Sequence, residues 1–216
     1  MSTPAKRFVL VAGNIGAGKT SLTERLGRQL GWQTAFESVA DNPYLPDFYS
    51  DMRGWAFHLN VFFLGHRAEQ HLALARSGES AIIDRSIYED AEIFARAGLE
   101  LGTLQERDYR TYRRVFDLVV GALPAPDLLI YLRASVPVLL ERIQARARDM
   151  ERAITAEYLG LLDRLYEEWM ARFDLCPVLT IRTADLDFVH SPSHLDVVVS
   201  RIHDKLAGKE VIEFPT

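Results

Sequence analysis

The chain has 216 residues, 48% of them apolar, and its 30 acidic side chains outnumber its 25 lysines and arginines, which gives a formal charge of −5. This size suits a single domain, which we expect to span residues 1–216. The negative charge argues against a broad surface for polymeric nucleic acid or for an anionic membrane. Cys176 is the only cysteine, which excludes an intramolecular disulfide and a cysteine-rich metal site. With no secretory signal and no long apolar run, the composition predicts a cytoplasmic protein.

Short aliphatic runs alternate with longer amphipathic segments along the chain, a pattern typical of βαβ units around a mostly parallel sheet. We predict strands over 7–12, 32–37, 80–84, 127–132 and 177–182. We predict helices over 18–30, 54–77, 86–97, 103–122, 135–147, 155–173 and 192–207. The segment 41–49 contains two prolines and several aromatic residues, and it is predicted to be an ordered loop over a pocket.

The sequence GNIGAGKT lies between the first predicted strand and the first predicted helix, which is the context that a phosphate-binding loop requires. We predict that its residues bind the triphosphate of a nucleotide: Gly13, Asn14, Ile15, Gly16, Ala17, Gly18, Lys19 and Thr20. Lys19 is expected to bridge the terminal phosphates, and the hydroxyl of Thr20 to hold Mg²⁺. The loop alone does not separate a switch GTPase, a motor and a small-molecule kinase, but the sequence lacks the NKxD motif of a GTPase.

Three polar residues lie at or just after the ends of predicted strands, at the edge of the sheet where α/β proteins bind ligands. Glu37 ends the second strand and could take the proton of an attacking hydroxyl, although a solvated glutamate is equally compatible with its position. Asp84 ends the third strand and could reach Mg²⁺ directly or through water. Arg85 follows it and could neutralise charge that builds up on a transferred phosphoryl group.

Arginines are concentrated in the segment 141–152, which reads ERIQARARDMER. Arg142, Arg146 and Arg148 are predicted to bind the polyphosphate from a lid over about 142–154, because clustered like charges repel unless an anion lies between them. The alternative is a solvated amphipathic helix.

One face of the predicted helix 54–77 carries Asn60, Phe63 and Arg67, two polar groups on either side of an aromatic ring. Such a face suits a flat heterocycle, and Asp90 could pair with Arg67 there. An exposed polar helix face is the alternative.

Taken together, the segments GNIGAGKT, FES, NPYLPDFY, WAFHLNVFFLGHR, DRSIYEDAEIFA and RARDMERAITAEYL resemble the deoxyribonucleoside kinase family, from about residue 7 to residue 182. The resemblance implies an α/β P-loop kinase fold, with a doubly wound five-stranded parallel sheet flanked by helices and an arginine-rich lid. It also implies a homodimer assembled through long helices. The implied reaction transfers the γ-phosphoryl of ATP, with Mg²⁺, to the 5′-hydroxyl of a deoxyribonucleoside.

The resemblance also assigns roles to residues on the acceptor side. It implies that Glu37 activates the 5′-hydroxyl with Arg85 beside it, and that Tyr49 and Glu151 contact the sugar 3′-hydroxyl. Ala147 stands where the lid of the family commonly has glycine, which implies a slightly stiffer lid.

The base pocket is the part where the resemblance bears on specificity. Arg67 and Asp90 are the pair found in members that take deoxyadenosine, deoxyguanosine or deoxycytidine, whereas thymidine-preferring members have small apolar residues there. Asn60 departs from the family's usual glutamine and is one methylene shorter, so it leaves room for a larger base or a bridging water. We therefore expect a purine deoxynucleoside as the preferred substrate, deoxyadenosine first and deoxyguanosine second. Deoxycytidine is expected to follow them.

Two alternatives remain open from the sequence. Another small-molecule or nucleoside-monophosphate kinase would need cations for the phosphate of its acceptor, whereas the acceptor side here offers Glu37 and Glu151. A non-catalytic structural member of the family is disfavoured because Lys19, Thr20 and Asp84 are all retained.

Overall fold

The computed structural model of the chain describes residues 5–36, 42–148, 151, 153–183 and 191–208. The strands are β1 (Phe8–Gly13), β2 (Gln33–Ala35), β3 (Ala81–Asp84), β4 (Leu128–Arg133) and β5 (Val178–Arg182). The helices are α1 (Lys19–Leu30), α2 (Leu45–Ser50), α3 (Met52–Arg76), α4 (Ile87–Glu89), α5 (Arg96–Glu100), α6 (Glu106–Gly121), α7 (Val136–Arg146), α8 (Ala156–Met170) and α9 (Pro192–Leu206). A π-helical segment, Asp90–Ala95, joins α4 to α5.

The five strands form one sheet in the order β2-β3-β1-β4-β5, and every neighbouring pair is parallel. Val11 in the centre of β1 lies opposite Asp84 on one side and Ile130 on the other. All five predicted strands and the α/β fold are confirmed, with strand ends that differ by no more than a few residues. Buried parallel strands are near-continuous aliphatic runs, which explains why they stand out in the sequence.

Helices cover both faces of the sheet, as the doubly wound prediction requires. Alternate residues of β1 point to opposite faces, so Phe8 and Leu10 pack in one apolar cluster while Val9 and Val11 pack in the other. The first cluster includes buried residues of α3, α6 and α8, and the second includes buried residues of α1, α7 and α9. Both faces of β1 are therefore covered, and all six of its residues are buried.

One prediction about a connection was wrong. The segment 41–49 was expected to be a loop, but residues 45–50 form the helix α2. Pro46 lies in the first turn of this helix, where its fixed φ suits the helix and its missing N–H would have no intrahelical partner. Within the described ranges, no helix is both long enough and apolar enough to cross a membrane.

Candidate active site

The phosphate loop, residues 13–20, follows β1 directly and leads into α1. Gly13 has a φ of 151°, and a Cβ atom there would lie 2.6 Å from the carbonyl oxygen of Leu132, so only glycine fits beside β4. Lys19 is 8% exposed, and its Nζ donates hydrogen bonds to the carbonyl oxygens of Gly13 at 2.7 Å and Asn14 at 3.0 Å. The lysine is thereby held along the loop that leads into the N-terminus of α1, an arrangement suited to phosphate.

Asn14 lies in the loop but directs its side chain into the protein. Its Oδ1 accepts a hydrogen bond from the backbone N–H of Ile15 at 2.8 Å, and its Nδ2 donates to the carbonyl oxygen of Leu159 at 3.0 Å. The side chain therefore anchors the loop to α8, so any contact of Asn14 with a nucleotide falls to its backbone.

Two oxygen ligands meet at the start of α1. The Thr20 hydroxyl donates a hydrogen bond to the Asp84 carboxylate at 2.5 Å, across the gap between the loop and the end of β3. Asp84 is only 6% exposed. A hydroxyl and a carboxylate beside a phosphate loop are hard oxygen donors, and they fit Mg²⁺, which is typically held by one or two protein oxygens together with phosphates.

Arg85 has an unusual backbone conformation. Its φ is 67°, a left-handed conformation that costs a non-glycine residue about 1–2 kcal/mol. Its backbone N–H donates to the carbonyl oxygen of Val11 at 3.0 Å, and its guanidinium lies 4.5 Å from the ring centroid of Phe94. Strain retained at a residue that reaches into a cavity indicates a functional requirement.

A cavity of about 440 Å³ opens beside the phosphate loop, a size that suits a small organic ligand. Its lining residues come from the phosphate loop, from helices and from the segments between them: Ile15, Phe48, Tyr49, Met52, Ala56, Leu59, Asn60, Phe63, Arg85, Asp90, Phe94, Gly98, Leu101, Thr103, Ala153, Ile154 and Tyr158. Five of these residues were predicted to bind the acceptor, and the fold brings them together: Tyr49, Asn60, Phe63, Arg85 and Asp90.

Three aromatic residues of this cavity, Phe48, Phe94 and Tyr158, were not among the predicted site residues. Phe48 lies in the segment 41–49, which was expected to lie over a pocket. Phe94 lies four residues after Asp90, so the helical spacing that relates the two could have indicated it. Tyr158 comes from α8 and had no local signal. Burial raises the pKa of its phenol above the usual value, while the charge of Arg85 opposes that shift, so the phenol stays neutral at physiological pH.

A buried ion pair closes one part of the cavity. The Nε of Arg67 contacts the carboxylate of Asp90, and the two side chains are 3% and 7% exposed. The guanidinium of Arg67 also lies 5.5 Å from the ring centroid of Phe63. The predicted partnership of Arg67 and Asp90 is present, with Asp90 lining the cavity.

Asn60 uses one side of its amide within its own helix. Its Nδ2 donates to the carbonyl oxygen of Ala56 at 2.8 Å, one turn earlier in α3. The asparagine thus directs one of its two N–H donors back to the backbone of α3.

The lid arginines have partners within the protein. Arg142 donates to the hydroxyl and the carbonyl oxygen of Thr183 at 2.8 Å and 2.7 Å, which ties α7 to the end of β5. Arg146 pairs with Glu151 at 2.5 Å, and Arg148 lies 3.8 Å from the same carboxylate. Arg146 and Arg148, predicted to contact the polyphosphate, are therefore neighbours of Glu151, predicted to contact the sugar.

Ala147 follows α7 within the predicted lid, and its φ of 51° is left-handed. Ala147→Gly is expected to stabilise the protein by up to about 1 kcal/mol, because glycine removes the strain of this conformation but adds entropy to the unfolded chain. The comparison of chemical denaturation midpoints of the variant and the unaltered protein measures this effect. A lower midpoint for the variant would contradict it.

Glu37, the predicted base, lies outside the described residues, and its role stays a prediction.

The comparisons with known proteins agree on one family. The model of the deoxynucleoside kinase family matches residues 9–207. A Bacillus subtilis deoxyadenosine/deoxycytidine kinase is 38% identical over 201 residues, which cover 92% of this chain and 93% of that protein. A Dictyostelium discoideum deoxyadenosine kinase is 36% identical over 209 residues, which cover 96% of this chain and 84% of that protein. The solved structure of M. mycoides deoxyadenosine kinase with the products dCMP and dCDP has a TM-score of 0.79 and 29% identity, and the match covers 91% of this chain and 99% of that one.

These matches extend over nearly the whole chain, and they confirm the predicted resemblance and the prediction of an enzyme of the kinase class. The phosphate loop and the adjacent cavity lie within the matched residues. The chain belongs to the deoxynucleoside kinase family.

Proposed function

We propose that the protein transfers the γ-phosphoryl of ATP to the 5′-hydroxyl of a deoxyribonucleoside, with deoxyadenosine preferred over deoxyguanosine and deoxycytidine. The observation that carries the proposal is the cavity beside the phosphate loop, which has Arg85 and the buried Asp90 in its lining. Phe63 and Phe94 offer apolar ring surfaces for a flat base. The lining carries one cation, Arg85, and one carboxylate, Asp90. This balance of charge favours a neutral acceptor over one that already carries a phosphate.

The chain's own residues divide the chemistry between them. Lys19 binds the terminal phosphates, and Arg85 neutralises the charge that develops on the transferred group. Glu37 accepts the proton of the 5′-hydroxyl as its oxygen bonds to the γ-phosphorus, while the bond from that phosphorus to the β,γ-bridging oxygen breaks and ADP leaves. Thr20 and Asp84 would hold Mg²⁺, whose bound charge offsets that of the phosphates.

The preference over thymidine rests on the polar groups of the base pocket, and the preference for a purine over deoxycytidine rests on the room that the shorter Asn60 leaves. One N–H of the Asn60 Nδ2 donates to the carbonyl oxygen of Ala56, which leaves the second N–H and the oxygen for a ligand. The oxygen can accept from an exocyclic amine such as that of adenine. Asp90, held by Arg67, offers further acceptors. The names of the relatives from Bacillus subtilis and Dictyostelium discoideum both include deoxyadenosine, which supports this choice.

Recognition of the sugar gives a prediction at Glu151. If this carboxylate binds the 3′-hydroxyl together with Tyr49, Glu151→Gln should lower the preference for deoxyadenosine over 2′,3′-dideoxyadenosine by about tenfold, as expected for the loss of a charged hydrogen bond. The ratio of the two kcat/KM values measures the preference. Glu141→Gln, on an exposed position of α7, is the matched control. An undiminished preference in Glu151→Gln would remove this residue from the sugar site.

We also propose that two copies of this single-domain chain form a homodimer in the cytoplasm through α3 and α6. These helices pack on each other and expose Val61, Val115 and Leu118, whose exposed fractions are 39%, 41% and 78%. Exposed aliphatic side chains on adjacent helices suit a helix-to-helix interface. Sedimentation of the unaltered protein and of Leu118→Glu measures this directly, and a monomer in both cases would contradict it.

Release of ADP tests the reaction itself. The acceptors are the four deoxynucleosides, their four monophosphates and a control without acceptor, each with ATP and Mg²⁺. We expect turnover with the nucleosides and none with the monophosphates. Turnover with monophosphates alone would identify a nucleoside-monophosphate kinase, and no turnover with any acceptor would indicate a non-catalytic protein.

A further inference from the structure

Glu89 is a buried carboxylate that the proposed chemistry does not use. It is 0% exposed, in the last position of α4. Its Oε2 accepts hydrogen bonds from the backbone N–H of Ser86 at 2.8 Å and from the Ser86 hydroxyl at 3.4 Å, as part of a capping box. Its Oε1 accepts a hydrogen bond from the backbone N–H of Gly13 at 3.2 Å. The capping box explains only the contacts with Ser86. The contact with Gly13 joins the segment after β3 to the end of β1.

Both backbone groups that Glu89 holds lie next to residues of the proposed mechanism. The N–H of Ser86 belongs to the peptide unit that follows Arg85, so its orientation fixes the ψ of that left-handed arginine. Gly13 opens the phosphate loop, and its carbonyl oxygen receives the Nζ of Lys19 at 2.7 Å. One carboxylate therefore joins the donor side of the site to the acceptor side.

Tyr166, from α8, completes this contact. It is 0% exposed, and its hydroxyl oxygen lies 2.7 Å from the Oε1 of Glu89 and 2.8 Å from the carbonyl oxygen of Gly13. Burial raises the pKa of the phenol well above its usual value, and the charge of Glu89 adds to the shift, so the hydroxyl keeps its single proton. Gly13 thus has its N–H bound by Glu89 and its carbonyl oxygen within reach of Tyr166.

We propose that Glu89 and Tyr166 are positioning residues, which clamp Gly13 of the phosphate loop against the turn that carries Arg85. The inference rests on the proposed kinase function, because it assigns the pair an effect on that reaction. When Lys19 turns from the Gly13 carbonyl oxygen to a bound phosphate, the hydroxyl of Tyr166 remains as the buried donor for this oxygen. A loop that keeps its shape while Lys19 moves requires no reordering when ATP binds.

The chemistry of the pair predicts different effects for its two members. Glutamine has the shape of Glu89 but only one acceptor oxygen, so its NH₂ group must face the N–H of either Gly13 or Ser86. Glu89→Gln therefore disturbs the phosphate loop or the turn at Arg85. Tyr166→Phe removes only the hydroxyl that faces Gly13 and Glu89, and its effect is confined to the donor side.

The test compares kcat and both KM values in Glu89→Gln, Tyr166→Phe and a control, Tyr131→Phe. Tyr131 is 3% exposed, stacks on Tyr166 with ring centroids 5.8 Å apart, and donates to a different glutamate, Glu167, at 3.1 Å. Tyr166→Phe is expected to raise the KM for ATP about fivefold and to leave the KM for deoxyadenosine unchanged. Glu89→Gln is expected to lower kcat by at least about tenfold. Tyr131→Phe should change none of these values.

Two further measurements keep the inference separate from a loss of folding and from the proposed reaction. Thermal unfolding shows whether each variant is folded at the assay temperature. If Glu89→Gln does not fold, the comparison of the KM for ATP in Tyr166→Phe and Tyr131→Phe still tests the inference. If the unaltered protein phosphorylates no nucleoside, the proposed function fails, and the Kd of a fluorescent ATP analogue for the same variants tests the clamp alone. Equal ATP affinity in Tyr166→Phe and Tyr131→Phe would overturn the inference, as would Tyr166→Phe weakening ATP and deoxyadenosine by the same factor.

Discussion

Arg85→Lys is expected to lower kcat by about 10²–10³-fold, the usual effect of removing one donor from a site where charge develops. Lysine keeps the charge but lacks the planar fork of arginine, and its ammonium does not stack on Phe94 as the guanidinium does at 4.5 Å. The KM for ATP should change by less than about threefold, because the loss falls on the transition state rather than on ground-state binding. Steady-state kinetics with ATP and deoxyadenosine measure both values.

Arg113→Lys is the matched control for this change. Arg113 stacks on Phe116 at 4.9 Å and pairs with Glu92, so it loses the same kind of contact on α6. It is not among the residues that line the cavity. Similar kcat values for both variants would contradict a specific role of the Arg85 guanidinium in the transition state.

Glu37→Gln is expected to lower kcat by about 10²–10⁴-fold, the range that a general base contributes. Glutamine has nearly the same shape but cannot take the proton of the 5′-hydroxyl. Because the donor site does not depend on this proton transfer, the affinity for ATP should stay within about twofold. Single-turnover kinetics with saturating ATP separate this chemical step from product release.

Glu79→Gln is a suitable control for this variant. Glu79 is exposed and precedes β3, at the end of the sheet opposite the phosphate loop. Its substitution should leave kcat unchanged. If Glu37→Gln retained full turnover, another group would have to accept the proton.

The strands and the phosphate loop could be predicted because their signals are local. A buried parallel strand is an aliphatic run in the sequence. The loop after β1 matches the GxxxxGK[ST] pattern, whose glycines are required by backbone sterics. The members of the acceptor pocket, such as Tyr49 and Asn60, could be predicted because the resemblance indicated which distant residues lie together. Both residues line one cavity.

Other features depend on contacts between distant elements, which sequence patterns do not contain. The sequence SIYE at residues 86–89 indicates only a capping box, and nothing in it predicts that Glu89 also reaches Gly13. Likewise, the basic cluster that contains Arg142 does not indicate that its guanidinium binds Thr183 at the end of β5. Its contact with phosphate stays a prediction. The side-chain partner of a charged residue is chosen by tertiary packing, which a local charge pattern cannot specify.

A competition experiment tests the proposed reaction and its base preference together. The four deoxynucleosides are mixed at equal concentrations with limiting ATP and Mg²⁺, and the monophosphate products are quantified by mass spectrometry at early times. Product ratios then equal the ratios of the kcat/KM values. We predict that dAMP is the most abundant product, followed by dGMP and then dCMP. A mixture dominated by dTMP or dCMP would contradict the purine pocket, and the absence of any monophosphate would contradict phosphorylation of a nucleoside.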